Sequence, residues 1–97
     1  MTTIIEDYVT RLTPIARGRI KGVARLDIAD HGSVLLTEAG AEAGDGPADV
    51  VLSARDEVFR AILAGDQNPV MAYMSGKLKV EGNVQRALKV SGILTGG

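Results

Sequence analysis

The chain contains no cysteine and no tryptophan, a single histidine, and three aromatic residues in all: Tyr8, Phe59 and Tyr73. Without cysteine there can be no disulfide, no thiolate metal site and no cysteine nucleophile. Three aromatics are too few for a base-stacking platform. A net charge of −1 also lacks the basic excess that neutralises phosphates, so the sequence argues against a nucleic-acid partner. Long apolar runs are missing as well, and none approaches the roughly 18 residues that span a bilayer. Met1 to Arg11 carries Glu6 and Asp7 and has no basic start before an apolar block, so it does not read as a signal peptide. The ending Leu94-Thr95-Gly96-Gly97 carries no peroxisomal or lipidation signature. These absences set the expectation of a soluble, cytoplasmic protein.

What is present suits one domain over residues 1–97. Hydrophobic residues make up 45% and charged residues 24%, a balance unlike that of disordered chains. A domain of this size buries roughly 60–65% of its unfolded surface. A core is affordable, but a large empty cavity would leave little stability in reserve.

Thr3 to Ala16 is predicted helical, with Ile5, Tyr8, Val9, Leu12 and Ile15 or Ala16 on one face. Thr3 and Glu6 form a capping box, and Pro14 should bend or end the helix near Thr13. Arg19–Ile28 and Ser33–Glu38 read as a hairpin around the turn Asp30-His31-Gly32. Ala39–Pro47 reads as a small-residue, acidic loop, and Ala48–Ser53 as a more central strand. A second helix is expected from Ser53, with Asp56 and Glu57 favouring its N-terminal dipole and Gly65 stopping it. Asn68 caps a short helix with Pro69 at its first position. Lys77–Glu81 alternates as a strand, turning Leu78 and Val80 inward. Asn83 caps a last helix. The order gives an α+β fold, a mostly antiparallel sheet of about four to five strands covered by helices.

Chemistry is scarce on this frame. His31 sits in a turn beside Asp30 with no positioned partner. Glu6, Asp56 and Glu57 are explained as helix starts, and Glu42-Ala43-Gly44-Asp45 is too sparse for a metal. Ser75-Gly76-Lys77 resembles a fragment of a phosphate loop. However, no Ser or Thr follows the lysine, and the segment runs helix to strand, the reverse of the required order. No catalytic residue, cofactor or metal is expected. Phe59, Ile62 and Leu63 on one helix and Met71 and Met74 on the next read most simply as core. Methionine would equally suit a wall that adapts to a ligand. Taken alone, the residues lead no further than a small α+β domain.

Longer motifs add to this. Gly46-Pro47-Ala48-Asp49-Val50-Val51-Leu52-Ser53 is followed by Ala64-Gly65-Asp66-Gln67-Asn68-Pro69 and by Met71 through Asn83, then Ala87-Leu88-Lys89. Together, over Pro47 to Leu94, they resemble the sterol carrier protein 2 family, the sterol-binding domain, most specifically from Met74 to Asn83. The resemblance implies a five-stranded, largely antiparallel sheet with helices on one face. It implies an apolar tunnel between them that takes sterols, fatty acyl chains or similar lipids, with no cofactor and no catalysis. Phe59, Ile62, Leu63, Met71, Met74, Leu78, Val80, Val84 and Leu88 are the implied wall, their inward orientation being read from periodicity. An apolar lipid is the expected partner, with transient membrane contact. The N-terminal half matches only in pattern. It lacks the tryptophan often found there and supplies one strand fewer than members have. The sheet is therefore expected to be short by a strand, or completed at its edge by a second copy in a homodimer. The alternative function is a non-catalytic dimerisation module whose apolar face is filled by its own core or by a partner chain.

Overall fold

The computed structural model describes residues 4–94. Thr3, one half of the expected capping box, lies outside them. The elements run α1 (Ile4–Ala16), β1 (Ala24–Ile28), β2 (Gly32–Thr37), β3 (Gly40–Ala43), β4 (Val50–Ala54), α2 (Asp56–Ala64), α3 (Pro69–Met74), β5 (Lys79–Gly82) and α4 (Val84–Leu94). The sheet has five strands in the order β3-β2-β1-β4-β5. Every neighbouring pair is antiparallel except β1 and β4, which run parallel with Leu26 opposite Leu52.

Alternation decides which face is buried. Ala24, Leu26 and Ile28 of β1, Val34 and Leu36 of β2, and Val50, Leu52 and Ala54 of β4 all point into one core. Tyr8, Leu12 and Ala16 of α1 meet them at four-residue spacing, with Phe59 and Ile62 of α2 and Ala87, Val90 and Leu94 of α4. The other face carries Arg25, Asp27, Ser33 and Thr37. There the Asp27 carboxylate accepts from Arg25 Nε at 2.8 Å and from Ser33 Oγ at 2.7 Å.

The local caps form as the side chains dictate. Asn68 Oδ1 accepts from the Val70 and Met71 amides at 2.8 and 3.2 Å, with Pro69 at the first turn. Asn83 Oδ1 accepts from the Arg86 amide at 3.1 Å. Gly65 ends α2 at φ +82°.

Several expectations are corrected. Ala39–Pro47 contains a strand, β3, which makes the sheet five-stranded within one chain. The fifth strand therefore comes from this chain itself. The first expected strand loses Arg19–Val23, because Gly18 and Gly22 take φ of +76° and +74° and bend the chain there. Ile20 in that bend is buried nonetheless. Ser53 belongs to β4, opposite Lys79, and the α2 N-cap position falls to Arg55. α1 runs through Pro14 to Ala16. A proline this close to the helix end removes only one late hydrogen bond, and the Arg17 amide still reaches Thr13 O at 3.1 Å.

Candidate functional site

Two hollows lie at opposite ends of the paired strands β1 and β4. The larger, about 1010 Å³ and open to solvent, lies where the strands end, next to α2. Ile28, Ala29, Ala54, Val58 and Ala61 supply its apolar surface. Asp27, Ser33, Ser53, Arg55, Glu57, Gln67, Lys77 and Lys79 supply its polar part, with Gly32 and Gly76 at the turns. Asp27 is already engaged by Arg25 and Ser33, and Arg55 pairs with Glu57 at 3.4 Å. Lys77 and Lys79 form no ion pair among the described residues. Apolar surface predominates in the cleft, and its uncompensated charge is positive.

The smaller hollow, about 120 Å³, lies at the strand starts. Ile20, Ala24, Val50, Val90 and Ile93 line it beneath Arg19, Lys21, Arg86 and Lys89. Its volume admits a small polar group and is too little for a lipid tail. Leu26 and Leu52, register partners that are fully buried, lie between the two hollows.

The expected wall residues separate into three groups. Phe59, Ile62 and Leu78 are fully buried in the core. Leu63, Val80 and Leu88 are half-buried, and the first two pack against that core. Met71, Met74 and Val84 do not face inward: they are 65%, 80% and 37% exposed. On α3 the buried positions are Pro69 and Ala72, whose small side chains let the short helix lie close to the protein. None of the expected wall residues lines the larger cleft. That cleft uses the flank of α2 bearing Glu57, Val58 and Ala61; of the apolar face that periodicity picks out, Val58, Phe59, Ile62 and Leu63, it takes Val58 alone. The signal that could have found it is Ala61, a small residue that lies off the Phe59–Ile62 stripe.

α2 is fastened over the core by one polar cluster. Tyr8 Oη donates to Asp56 Oδ1 at 2.7 Å, and Arg60 Nε donates to the same carboxylate at 2.9 Å. The Arg60 guanidinium also lies 5.5 Å from the centre of the Tyr8 ring and reaches Asp7 at 3.3 Å. Burial, then the hydrogen bond to Asp56, raises the Tyr8 phenol above its ordinary value. Burial alone would raise Asp56. The hydrogen bonds from Tyr8 and Arg60 and the Arg60 charge outweigh it and hold the carboxyl below its usual value. A depressed carboxyl stabilises the fold above the unfolded value of about 3.9 and loses that contribution as pH falls through the folded one. Asp56→Asn should therefore cost about 1 kcal/mol at neutral pH, a figure kept small because Arg60 is partly solvated. The deficit should shrink below about pH 4, as urea unfolding of both proteins across that range would show.

Among the described residues no cluster of three or more His, Asp or Glu is placed to hold a metal. Among them, too, no helix is long and apolar enough to cross a membrane.

Comparison with known proteins agrees with the fold. The chain is 41% identical over 64 residues to hydroxysteroid dehydrogenase-like protein 2 of Rattus norvegicus, covering 62% of this chain and 12% of that protein. It is 38% identical over 69 residues to a fatty acid-binding protein of Yarrowia lipolytica, covering 71% of this chain and 51% of the other. The chain thus matches about half or less of these relatives' length. The solution structure of sterol carrier protein 2 from Aedes aegypti, in complex with palmitate, superposes with a TM-score of 0.75 at 16% identity. That superposition covers 97% of this chain and 96% of the other. The sequence profile of the SCP-2 sterol transfer family matches residues 7–95. With nearly its whole length matched and the same arrangement of sheet and helices, the chain belongs to the SCP-2 sterol transfer family.

Proposed function

We propose that this chain binds a single apolar lipid, of fatty acyl or sterol type, in the large cleft beside α2 and carries it without catalysing a reaction. The observation that carries this reading is the cleft itself. Its volume of about 1010 Å³ lies at the upper end of the range of about 300–1,000 Å³ typical of ligand pockets. The names of the Yarrowia protein and the Aedes complex support an acyl ligand.

The energetics suit such a cargo. Apolar surface leaving water gains roughly 25 cal/mol per Å², so a lipid tail binds with few polar contacts. Selectivity should be weak, since one methylene in an apolar pocket discriminates by about 1–3 kcal/mol. Within this reading Phe59, Ile62 and Leu78 are the inner wall, with Leu63, Val80 and Leu88 beside them. A tail reaches them when α2 shifts outward and the cleft deepens into a tunnel. Met71, Met74 and Val84 stand outside that wall. The domain acts alone or beside a lipid-metabolising enzyme.

Ala61→Trp tests the site. Ala61 is half-buried on the cleft side of α2, so an indole there occupies part of the cleft and leaves the core intact. Affinity for a fluorescent fatty acid should fall at least about tenfold, the worth of two lost methylene contacts. Saturating palmitate should raise the Tm of the unmodified protein by about 10 °C, because a ligand specific to the folded state stabilises it. Absence of any lipid-induced Tm shift in the unmodified protein would overturn the reading.

A further inference from the structure

We propose that α3 is a bilayer-docking surface at the mouth of the cleft, inserting Met71 and Met74 among lipids while Lys77 and Lys79 attract anionic headgroups. The proposal rests on the cleft being the lipid site. It adds where the protein meets the membrane from which a lipid is taken.

The exposed apolar side chains are concentrated in one place. Val70, Met71, Tyr73 and Met74 are 44%, 65%, 36% and 80% exposed, and all lie on the six residues of α3. Val84, the remaining large exposed hydrophobic among the described residues, opens α4. This is the opposite of a folding compromise, because α3 is held firmly. Asn68 caps it with two hydrogen bonds, Ala72 is fully buried, and the Lys77 and Leu78 amides return to Ala72 O at 2.9 and 3.0 Å. A rigid helix that presents two methionines and a tyrosine to water has the side chains that favour the boundary of a bilayer.

Charge names the occupant. From Gln67 to Val80 there is no Asp or Glu and there are two lysines. Neither lysine has an ion pair among the described residues; Arg11, Arg17, Arg19, Lys21 and Lys89 have none either, but of these seven cations only Lys77 and Lys79 directly follow α3 and line the cleft. Lysines unpaired beside an apolar knob complement an anionic membrane surface. A second copy fits poorly. A two-fold contact centred on α3 would bring the same surface patches together and set lysine against lysine. Position agrees as well. Gln67 before α3, and Gly76, Lys77 and Lys79 after it, all line the cleft. Docking through α3 therefore places the cleft mouth against the bilayer.

Flotation of the full chain with vesicles of phosphatidylcholine, alone or mixed with phosphatidylglycerol, tests this beside titration of a soluble short-chain fluorescent fatty acid without vesicles. The unmodified protein should bind the mixed vesicles and be released by high salt. M71S/M74S should weaken vesicle binding about tenfold or more, from the apolar surface no longer inserted, while its Tm and its affinity for the soluble probe stay unchanged. K77Q/K79Q should lower binding to the anionic vesicles about fivefold per lysine and leave the weaker binding to neutral vesicles unaltered. Vesicle binding without probe binding would sustain the docking surface and sink the cleft as lipid site. Three results would overturn the docking surface: no vesicle binding by the unmodified protein, unchanged vesicle binding by M71S/M74S, or loss of probe binding in that variant. A dimer that M71S/M74S dissociates, with no vesicle binding, would give α3 to a second copy and overturn it too.

Discussion

Gly82→Ala is expected to destabilise the protein by about 3 kcal/mol, more than a routine surface change. Gly82 ends β5 at φ +93°, where an L side chain costs roughly 1–2 kcal/mol on its own. A Cβ there would also stand 2.6 Å from the carbonyl oxygen of Asp49 and 3.3 Å from Val50 Cα. Both are backbone atoms, so no side-chain rotation relieves the contact. Relief requires β5 to move off β4, which breaks the Val50–Gly82 register and drags Asn83, the cap of α4. The midpoint of urea unfolding should fall by roughly 1–3 M, given slopes of about 1–3 kcal/mol per M. Gly76→Ala is the control. Its φ is +83° but nothing lies within 4 Å of the added carbon, so only the conformational part of the loss applies. Equal losses in the two variants would show that the approach to Asp49 is not what requires glycine at residue 82.

Much of this fold is legible in the sequence wherever one residue carries a local signal. Asn68-Pro69 and Asn83 announce helix starts by side-chain chemistry, and Gly65 announces a stop. Lys79 and Glu81 alternate with Val80 as a strand should. β3 is different. Gly40-Ala41-Glu42-Ala43 contains no β-branched or aromatic residue, and β-propensity reports packing more than backbone preference. The strand exists because β2 pairs with it and α1 lies over it. The approach is close enough that a Cβ on Gly40 would sit 3.0 Å from Thr13 Cγ2. Neither contact has a local signature. Arg19-Ile20-Lys21 errs the other way, since its alternation imitates a strand between two glycines that bend the chain.

The site was harder to see than the fold for the same reason. A six-residue helix has too few turns for periodicity to decide which side is buried, and on α3 the small residues lie inward while the methionines face out. The cleft depends on the parallel pairing of β1 with β4, strands separated by the whole β2–β3 excursion. Ile28, Ala54 and Ala61 come together only through that pairing. The family motifs include Gly76 and Lys77, which line the cleft. They do not tell which face of α2 borders it.

Phe59→Ala should cost about 3–5 kcal/mol, the range for deleting a buried aromatic ring. Phe59 is 1% exposed and meets Tyr8 edge to face, with ring centres 6.3 Å apart and planes at 81°. The ring therefore links α2 to α1 and to the Asp56–Arg60 cluster that fastens them. A domain this size has about 5–15 kcal/mol in total, so the variant should fold with a Tm lowered by roughly 15–30 °C. The variant also asks where the lipid tail goes. Phe59 follows Val58, which lines the cleft, so the vacated space lies on the neighbouring flank of the same helix. An apolar cavity of that kind stays dry and accepts apolar ligands. If the tail passes beneath α2 to the inner wall, the mutation prepares its path and α2 need not shift. Saturating palmitate should then raise the Tm of Phe59→Ala by more than it raises that of the unmodified protein, since tighter binding to the folded state is added stability. Equal increments would keep the tail in the open cleft and remove Phe59, Ile62 and Leu78 from the ligand wall.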